Sequence, residues 1–202
     1  MFDYENECLK NGFKLIAGVD EAGRGPLAGP VAVAIAIMPL EQDKIIEGVN
    51  DSKKLTEKKR DALYEQIINT AISYHIEFVD ENTIDTINIL NATKLGMIKC
   101  IKEISVSPDI VLIDAVKLDA DVPTKSIIKG DALSYSIACA SILAKVSRDR
   151  LMLELDKKYP QYNLKKHKGY GTKEHIENLK KYGPSPIHRK SFIGHFVDVE
   201  KL

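Results

Sequence analysis

The chain has 202 residues, enough for one well-buried core and too few for two ordinary domains. Hydrophobic residues at 44% and charged residues at 29% exclude a disordered or fibrous chain, and no apolar run reaches the ~18 residues of a membrane-spanning helix. The 29 basic and 29 acidic residues cancel, so any attraction for a polyanion must come from local asymmetry.

The amino terminus, Met1 to Glu7, lacks the basic and apolar regions of a secretory leader. Cys8, Cys100 and Cys139 are widely spaced and form no Cys-x-x-Cys pair, which indicates neither a disulfide framework nor a zinc site. A reducing, cytoplasmic setting is the expectation.

Phe13 to Asp20 alternates as a first strand, and Pro30 to Met38 as a second, with β-branched residues and alanines taking turns. Between them lies Asp20-Glu21-Ala22-Gly23-Arg24-Gly25-Pro26. Acids at the end of an apolar strand need a compensating partner, because an ionised carboxylate is costly to take out of water. A divalent metal is one such partner. Neighbouring strand residues face opposite ways, so Asp20 and Glu21 converge on one ion only where the strand breaks, and Ala22-Gly23-Arg24-Gly25 supplies a break.

Asn50-Asp51-Ser52-Lys53-Lys54 forms a loop, read either as a phosphate grip ahead of a helix start or as a flexible surface segment. Thr56 caps a helix carrying Leu63, Ile67 and Ala71 on one stripe; Ser73 to Val79 is a strand, and Glu81 to Ile104 a long helix. Ile110 to Ile113 is an apolar run of the doubly covered kind and ends at Asp114. Ser126 to Ile128 is a further strand, and Lys129-Gly130-Asp131 leads into a helix from Ala132 to Arg150 whose small residues suit close approach to a sheet. Thr172 caps a last helix, Lys173 to Tyr182, stopped by Gly183-Pro184. The alternation of elements is that of an α/β domain.

Asp20, Glu21 and Asp114 lie at the ends of apolar strands, where open α/β sheets bind ligands. Carboxylates from separate parts of a chain suit Mg²⁺ or Mn²⁺ and not zinc. Asp131 is a fourth candidate and equally a helix N-cap. Gly23-x-Gly25-x-x-Ala28 fits a dinucleotide fingerprint, but a strand follows where that motif requires a helix. Those glycines instead let the backbone approach a sugar hydroxyl while Arg24 takes a phosphate. Residues 157 to 195 hold ten Lys or Arg against Glu174 and Glu177, a local balance of +8, which fits either a polyanion grip or a solvated face. Within that stretch Tyr170 sits between Gly169 and Gly171, as a stacking ring or a packing residue. His167, His175, His188 and His195 have no metal spacing and are expected at the surface.

With Asp20-Glu21-Ala22-Gly23-Arg24-Gly25-Pro26, Asn50-Asp51-Ser52-Lys53-Lys54-Leu55, Leu112-Ile113-Asp114, Lys129-Gly130-Asp131, Ala140 to Asp149 and His167-Lys168-Gly169-Tyr170 in this order, the chain resembles bacterial ribonuclease HII. The resemblance implies a ribonuclease H-like fold: a mixed five-stranded sheet flanked by helices, with a catalytic part over residues 1–155 and a small helical, basic, substrate-binding part over 156–202, in one compact unit. It implies an endonuclease that cuts RNA in RNA–DNA hybrids and nicks duplex DNA 5′ of an embedded ribonucleotide. By position, Asp20, Glu21, Asp114 and Asp131 match the family's metal-binding acids, Gly23, Arg24 and Gly25 its 2′-hydroxyl-reading turn, and Tyr170 its stacking ring. Ala115 stands where the family usually has glycine, and Ser191-Phe192-Ile193-Gly194 departs from the usual Ser-Phe-Gly-Pro. The cofactor implied is Mn²⁺ or Mg²⁺, and the expected state is a monomer that does not bind membranes, with any replication-clamp contact left open. The rival reading, from another class, is a hybrid-binding module without catalysis, which gains nothing from crowding carboxylates together.

Overall fold

The computed structural model describes residues 1–199; the last three residues of the expected 156–202 segment lie outside the described residues. In chain order the main elements are α1 (Asp3–Lys10), β1 (Ile16–Ala22), β2 (Val31–Ile37), α2 (Glu57–Thr70), β3 (Ser73–Val79), α3 (Glu81–Glu103), β4 (Ile110–Asp114), β5 (Thr124–Ile127), α4 (Gly130–Leu133), α5 (Tyr135–Lys158), α6 (Leu164–His167), α7 (Lys173–Tyr182) and α8 (Lys190–Ile193). The strands form one sheet in the order β3-β2-β1-β4-β5. β1, β2 and β3 are antiparallel neighbours, whereas β1, β4 and β5 run parallel, so the sheet is mixed as expected.

β2 is buried along its whole length because both faces are covered. Val33, Ile35 and Ile37 meet Met97 and Cys100 of α3 on one side. Ala34 and Ala36 meet Ala138, Ile142 and Leu143 of α5, with Leu63 and Ile67 of α2 behind them, on the other. The small residues let α5 lie very close to the sheet. A Cβ on Gly18 of β1 would stand 2.1 Å from the Ser136 carbonyl carbon, so only glycine fits there. The N-terminal end of α5 is closed by Glu5 of α1, whose buried Oε1 accepts from the Ser134 hydroxyl at 2.6 Å and the Ser136 N–H at 2.9 Å. Such a carboxylate complements the positive end of a helix.

Several element boundaries differ from those read in the sequence. β1 begins at Ile16 rather than Phe13 and continues two residues past Asp20. The expected helix from Glu81 to Ile104 breaks at Asn88, whose φ of 67° is left-handed and whose Oδ1 accepts from the Asn91 N–H, restarting the helix. The expected helix from Ala132 is two helices, since extended Ser134 ends α4 and caps α5 by accepting from the Ile137 N–H. β5 lies two residues earlier at its start than the Ser126–Ile128 run suggested. α1 has no counterpart in the sequence reading.

The chain after α5 packs on the connection between β1 and β2. Leu27 meets Leu179 and Ile193, while Ala28 meets Met152, Tyr162, Leu164 and Ile187. The loop from Gly23 to Pro30 is thereby held from both sides.

Candidate active site

Parallel pairing of β1 with β4 sets Gly18 opposite Leu112 and Val19 opposite Ile113. One step further, Asp20 and Asp114 stand side by side at the strands' ends on the face covered by α5. Asp131 reaches them from α4. Oxygens of Asp20, Asp114 and Asp131 all lie within 4.8 Å of one another, and these three are the sole such metal-capable group among the described residues. Glu21 stays outside that group but lines the adjoining cleft with Lys53, close enough for its charge to act on Asp20. Asp131 is not an N-cap: the cap position of α4 belongs to Lys129, and Asp131 lies within the helix.

The electrostatics are those of crowded acids. Burial raises the Asp20 carboxyl well above the ordinary carboxylate range, and the charges of Glu21 and Asp114 add to the shift. Burial likewise raises Glu21, against the pull of Arg24 at 3.4 Å. Asp131 is raised by burial and by Asp114. Lys53 provides a cation, its Nζ 3.8 Å from Asp131 Oδ2. Asp114 Oδ1 accepts from the Gly130 N–H and Asp20 Oδ1 from the Glu21 N–H, but Glu21 Oε2 is buried with no hydrogen-bond partner. An oxygen-only donor set with unspent negative charge and an orphaned carboxylate oxygen fits a hard divalent cation such as Mg²⁺ or Mn²⁺.

A cleft of about 200 Å³ opens beside the acids, lined by Glu21, the Gly23-Arg24-Gly25 turn, Ser52, Lys53, Ser141, Lys145 and Tyr170. A larger cavity of about 590 Å³ lies at the opposite ends of the parallel strands, around Asp109 and Val122, away from where such sheets bind ligands. Of the two glycines in the turn, Gly23 is the one that the packing requires. Gly23 has φ +91° and a Cβ there would sit 1.9 Å from Arg148 Nε, so its missing side chain makes room for a buried arginine. A Cβ on Gly25 would lie 3.7 Å from the Tyr170 ring, which is 43% exposed at the cleft.

Most sequence-selected residues meet here. Ser52 is buried with its Oγ 2.8 Å from Ser141 Oγ, and Lys53 projects to the acids. Lys54 does not line the cleft; its Nζ is 3.9 Å from Asp51. Ser141 and Lys145 carry no local mark of function in the sequence, because α5 reads as a packing helix. Their spacing of one turn beside two acidic strand ends was the available signal. Of the ten cations in the basic stretch, Lys157, Lys165, Lys166 and Lys173 are paired with Glu154, Asp156, Glu174 and Glu177, which reduces the net field of that segment.

The histidines correct the sequence reading: His195 is exposed, but His167, His175 and His188 are buried. His188 Nδ1 accepts from the Ser185 N–H, which leaves its Nε2–H to donate to His175 Nε2 at 3.1 Å; His175 Nδ1–H then donates to the Tyr170 carbonyl at 2.9 Å. The bonds assign both rings as neutral. Burial lowers all three histidines, and His188, next to His175, falls to about 4. The chain places these rings beneath Tyr170 because Ala28 bridges His188 across the β1–β2 connection.

The family profile of ribonuclease HII matches residues 17–195. Ribonuclease HII of Caldicellulosiruptor bescii is 55% identical over 199 residues, covering 98% of this chain and 96% of that protein. The Acetivibrio thermocellus ribonuclease HII is 57% identical, covering 96% of this chain and 75% of that protein. Among solved structures, ribonuclease H2 from Pyrococcus horikoshii superimposes with a TM-score of 0.74 at 27% identity, over 88% of this chain and 93% of that one. A near full-length profile match, high identity and a shared mixed sheet agree with the acidic cluster, and the chain belongs to the ribonuclease HII family of nucleases.

Proposed function

We propose that this protein is an endonuclease that hydrolyses the RNA strand of RNA–DNA hybrids and nicks duplex DNA on the 5′ side of an embedded ribonucleotide, leaving 3′-hydroxyl and 5′-phosphate ends. The observation that carries the reading is the convergence of Asp20, Asp114 and Asp131 within 4.8 Å beside a cleft bordered by a glycine-arginine turn and an aromatic ring. Asp20, Asp114 and Asp131, with Glu21 adjacent, would hold Mg²⁺ or Mn²⁺. Two such ions would supply the charge that makes water nucleophilic near neutral pH and that stabilises a leaving 3′-oxygen.

The protein's own groups bind and orient. Lys53, drawn toward the acids, and Lys145 at the cleft wall suit the phosphates flanking the cut. The Gly23-Arg24-Gly25 backbone is near enough to the cleft to read a 2′-hydroxyl, the group that distinguishes RNA from DNA. Tyr170 offers an exposed face for stacking on the adjoining sugar or base. No protein nucleophile takes part. Cys8, Cys100 and Cys139 are free, buried and outside the site, which supports action in a reducing cytoplasm. Among the described residues no helix is long and apolar enough to cross a membrane.

The test is gel-resolved nicking of duplex DNA holding one ribonucleotide, with all-DNA and hybrid duplexes alongside, in Mg²⁺, in Mn²⁺ and in chelator. A metal-dependent cut 5′ of the ribonucleotide is expected. No cut on any duplex, with binding retained in chelator, would leave a binding module and overturn the catalytic reading.

A further inference from the structure

Arg189 lies far from the acids in sequence and contacts none of them, yet its side chain is 0% exposed and all its side-chain hydrogen bonds run to one loop, with the Phe192 ring 5.1 Å from the guanidinium. Its Nη2 donates to the Gly23 carbonyl at 2.6 Å and to the Gly29 carbonyl at 2.7 Å; Nη1 donates to the Arg24 carbonyl at 2.8 Å; Nε donates to Gly29 at 2.9 Å. The backbone on either side locks the same place, since the Arg189 N–H donates to the Leu27 carbonyl and the Gly29 N–H to the Ile187 carbonyl. Among the described residues Arg189 has no carboxylate within ion-pair distance. With only the more distant charges of Glu81 and Asp85 and the Phe192 face to offset its burial, the cation is an expensive way to hold a surface turn, because neutral donors would serve a merely structural role at lower cost.

The geometry of the peptide unit says what the guanidinium adds. In a trans peptide the N–H points opposite to the C=O, and no peptide among the described residues is cis. Drawing the Gly23 and Arg24 carbonyls inward therefore aims the N–H groups of Arg24 and Gly25 outward. Neither N–H has an acceptor among the described residues, and both residues line the cleft. A cation bound to the carbonyl end of each unit also polarises it, making each outward N–H a stronger donor.

We infer that Arg189 is a positioning and specificity residue: it turns and polarises the Arg24 and Gly25 N–H groups so that they donate to the ribose 2′-hydroxyl of the substrate. This rests on the reading of Gly23-Arg24-Gly25 as the ribose-reading turn. Burial and the nearby Arg148 lower the Arg189 pKa to about 9, which keeps it charged at neutral pH.

The experiment measures equilibrium binding of two duplexes, one with a single ribonucleotide and one all DNA, by fluorescence anisotropy in Mg²⁺. It uses the full chain carrying Asp20→Asn to prevent cutting, with and without Arg189→Lys, which keeps the charge and loses the fork, or Arg189→Met, which keeps the bulk. The ratio of the two Kd values is expected to fall about tenfold, the worth of roughly one hydrogen bond, while the all-DNA Kd stays within about twofold. Equal weakening on both duplexes, or an unchanged ratio in a variant that melts cooperatively, overturns the Arg189 inference alone. A ratio of one before Arg189 is changed sinks the reading of the turn and the inference with it. Should both variants fail to melt cooperatively, Arg189 holds the fold rather than tunes the turn, and the inference is overturned.

Discussion

Replacing Asp20 with asparagine is expected to abolish cleavage and, in chelator, to make the protein more stable. Asp20 faces the carboxylates of Asp114 and Asp131 at no more than 4.8 Å. At that separation each like-charge pair costs about 0.9 kcal/mol in water and about 3.5 kcal/mol at an effective dielectric constant of 20. Proton uptake and Lys53 relieve part of this, so removing the charge should gain about 1 to 3 kcal/mol at neutral pH. Asparagine retains the oxygen that accepts from the Glu21 N–H, so that bond is kept.

The sign with pH follows from burial and the neighbouring acids raising the Asp20 carboxyl above its unfolded value. The folded chain then holds more protons in that window, and its stability falls as pH rises through it. The advantage of Asp20→Asn should accordingly be small in acid and grow toward neutrality. In saturating Mg²⁺ or Mn²⁺ that advantage is offset, because binding at a hundredfold excess over Kd stabilises the native chain by about 2.7 kcal/mol and the variant lacks a ligand. Urea denaturation of both proteins, in chelator and in metal, together with the nicking assay, measures all of this. A variant no more stable than the native chain in chelator, or one that nicks at the native rate in metal, would refute the electrostatic account of the site.

Gly23→Ala should destabilise the protein by roughly 2 to 4 kcal/mol through its positive φ and overpacking, because Arg148 is tied to the Ala28, Pro30 and Lys168 carbonyls and cannot move aside; an unchanged urea midpoint would contradict this. Ala115 holds a left-handed φ of 50°, a conformation that suits glycine, and Ala115→Gly should raise the melting temperature, by up to about 1 kcal/mol of stability. His188 has a folded pKa of about 4 against an ordinary value of 6.5. Its contribution is therefore present above the ordinary value and lost as pH falls toward 4, a change of about 3 kcal/mol. Denaturation from neutral to mildly acid pH should show that loss relative to His188→Gln, and parallel curves for the two proteins would remove the histidine network as its source.

The strands, the capped helices and the acids themselves were legible in the chain because alternation, N-caps and abrupt ends of apolar runs are local properties. Ser73 to Val79 and Lys173 to Tyr182 have the bounds that local pattern indicates. The histidines were misjudged for the opposite reason: nothing near His175 or His188 in sequence announces burial, which comes from the β1–β2 connection folding over them. Arg148 and Arg189 were hidden in the same way, since a cation beside basic neighbours reads as surface until the carbonyls that surround it are known.

The sequence by itself determined which residues can serve: acids at strand ends, a glycine-arginine turn, a ring on a flexible loop, and small residues along one helix. Tertiary structure decided which of them work together. Asp20 and Asp114 are 94 residues apart in the chain and become neighbours only through the parallel register of β1 against β4, while Glu21, adjacent to Asp20, stays outside the three-acid group. Register and side-chain direction depend on pairing between distant segments, and a strand carries no local mark of the partner it will meet.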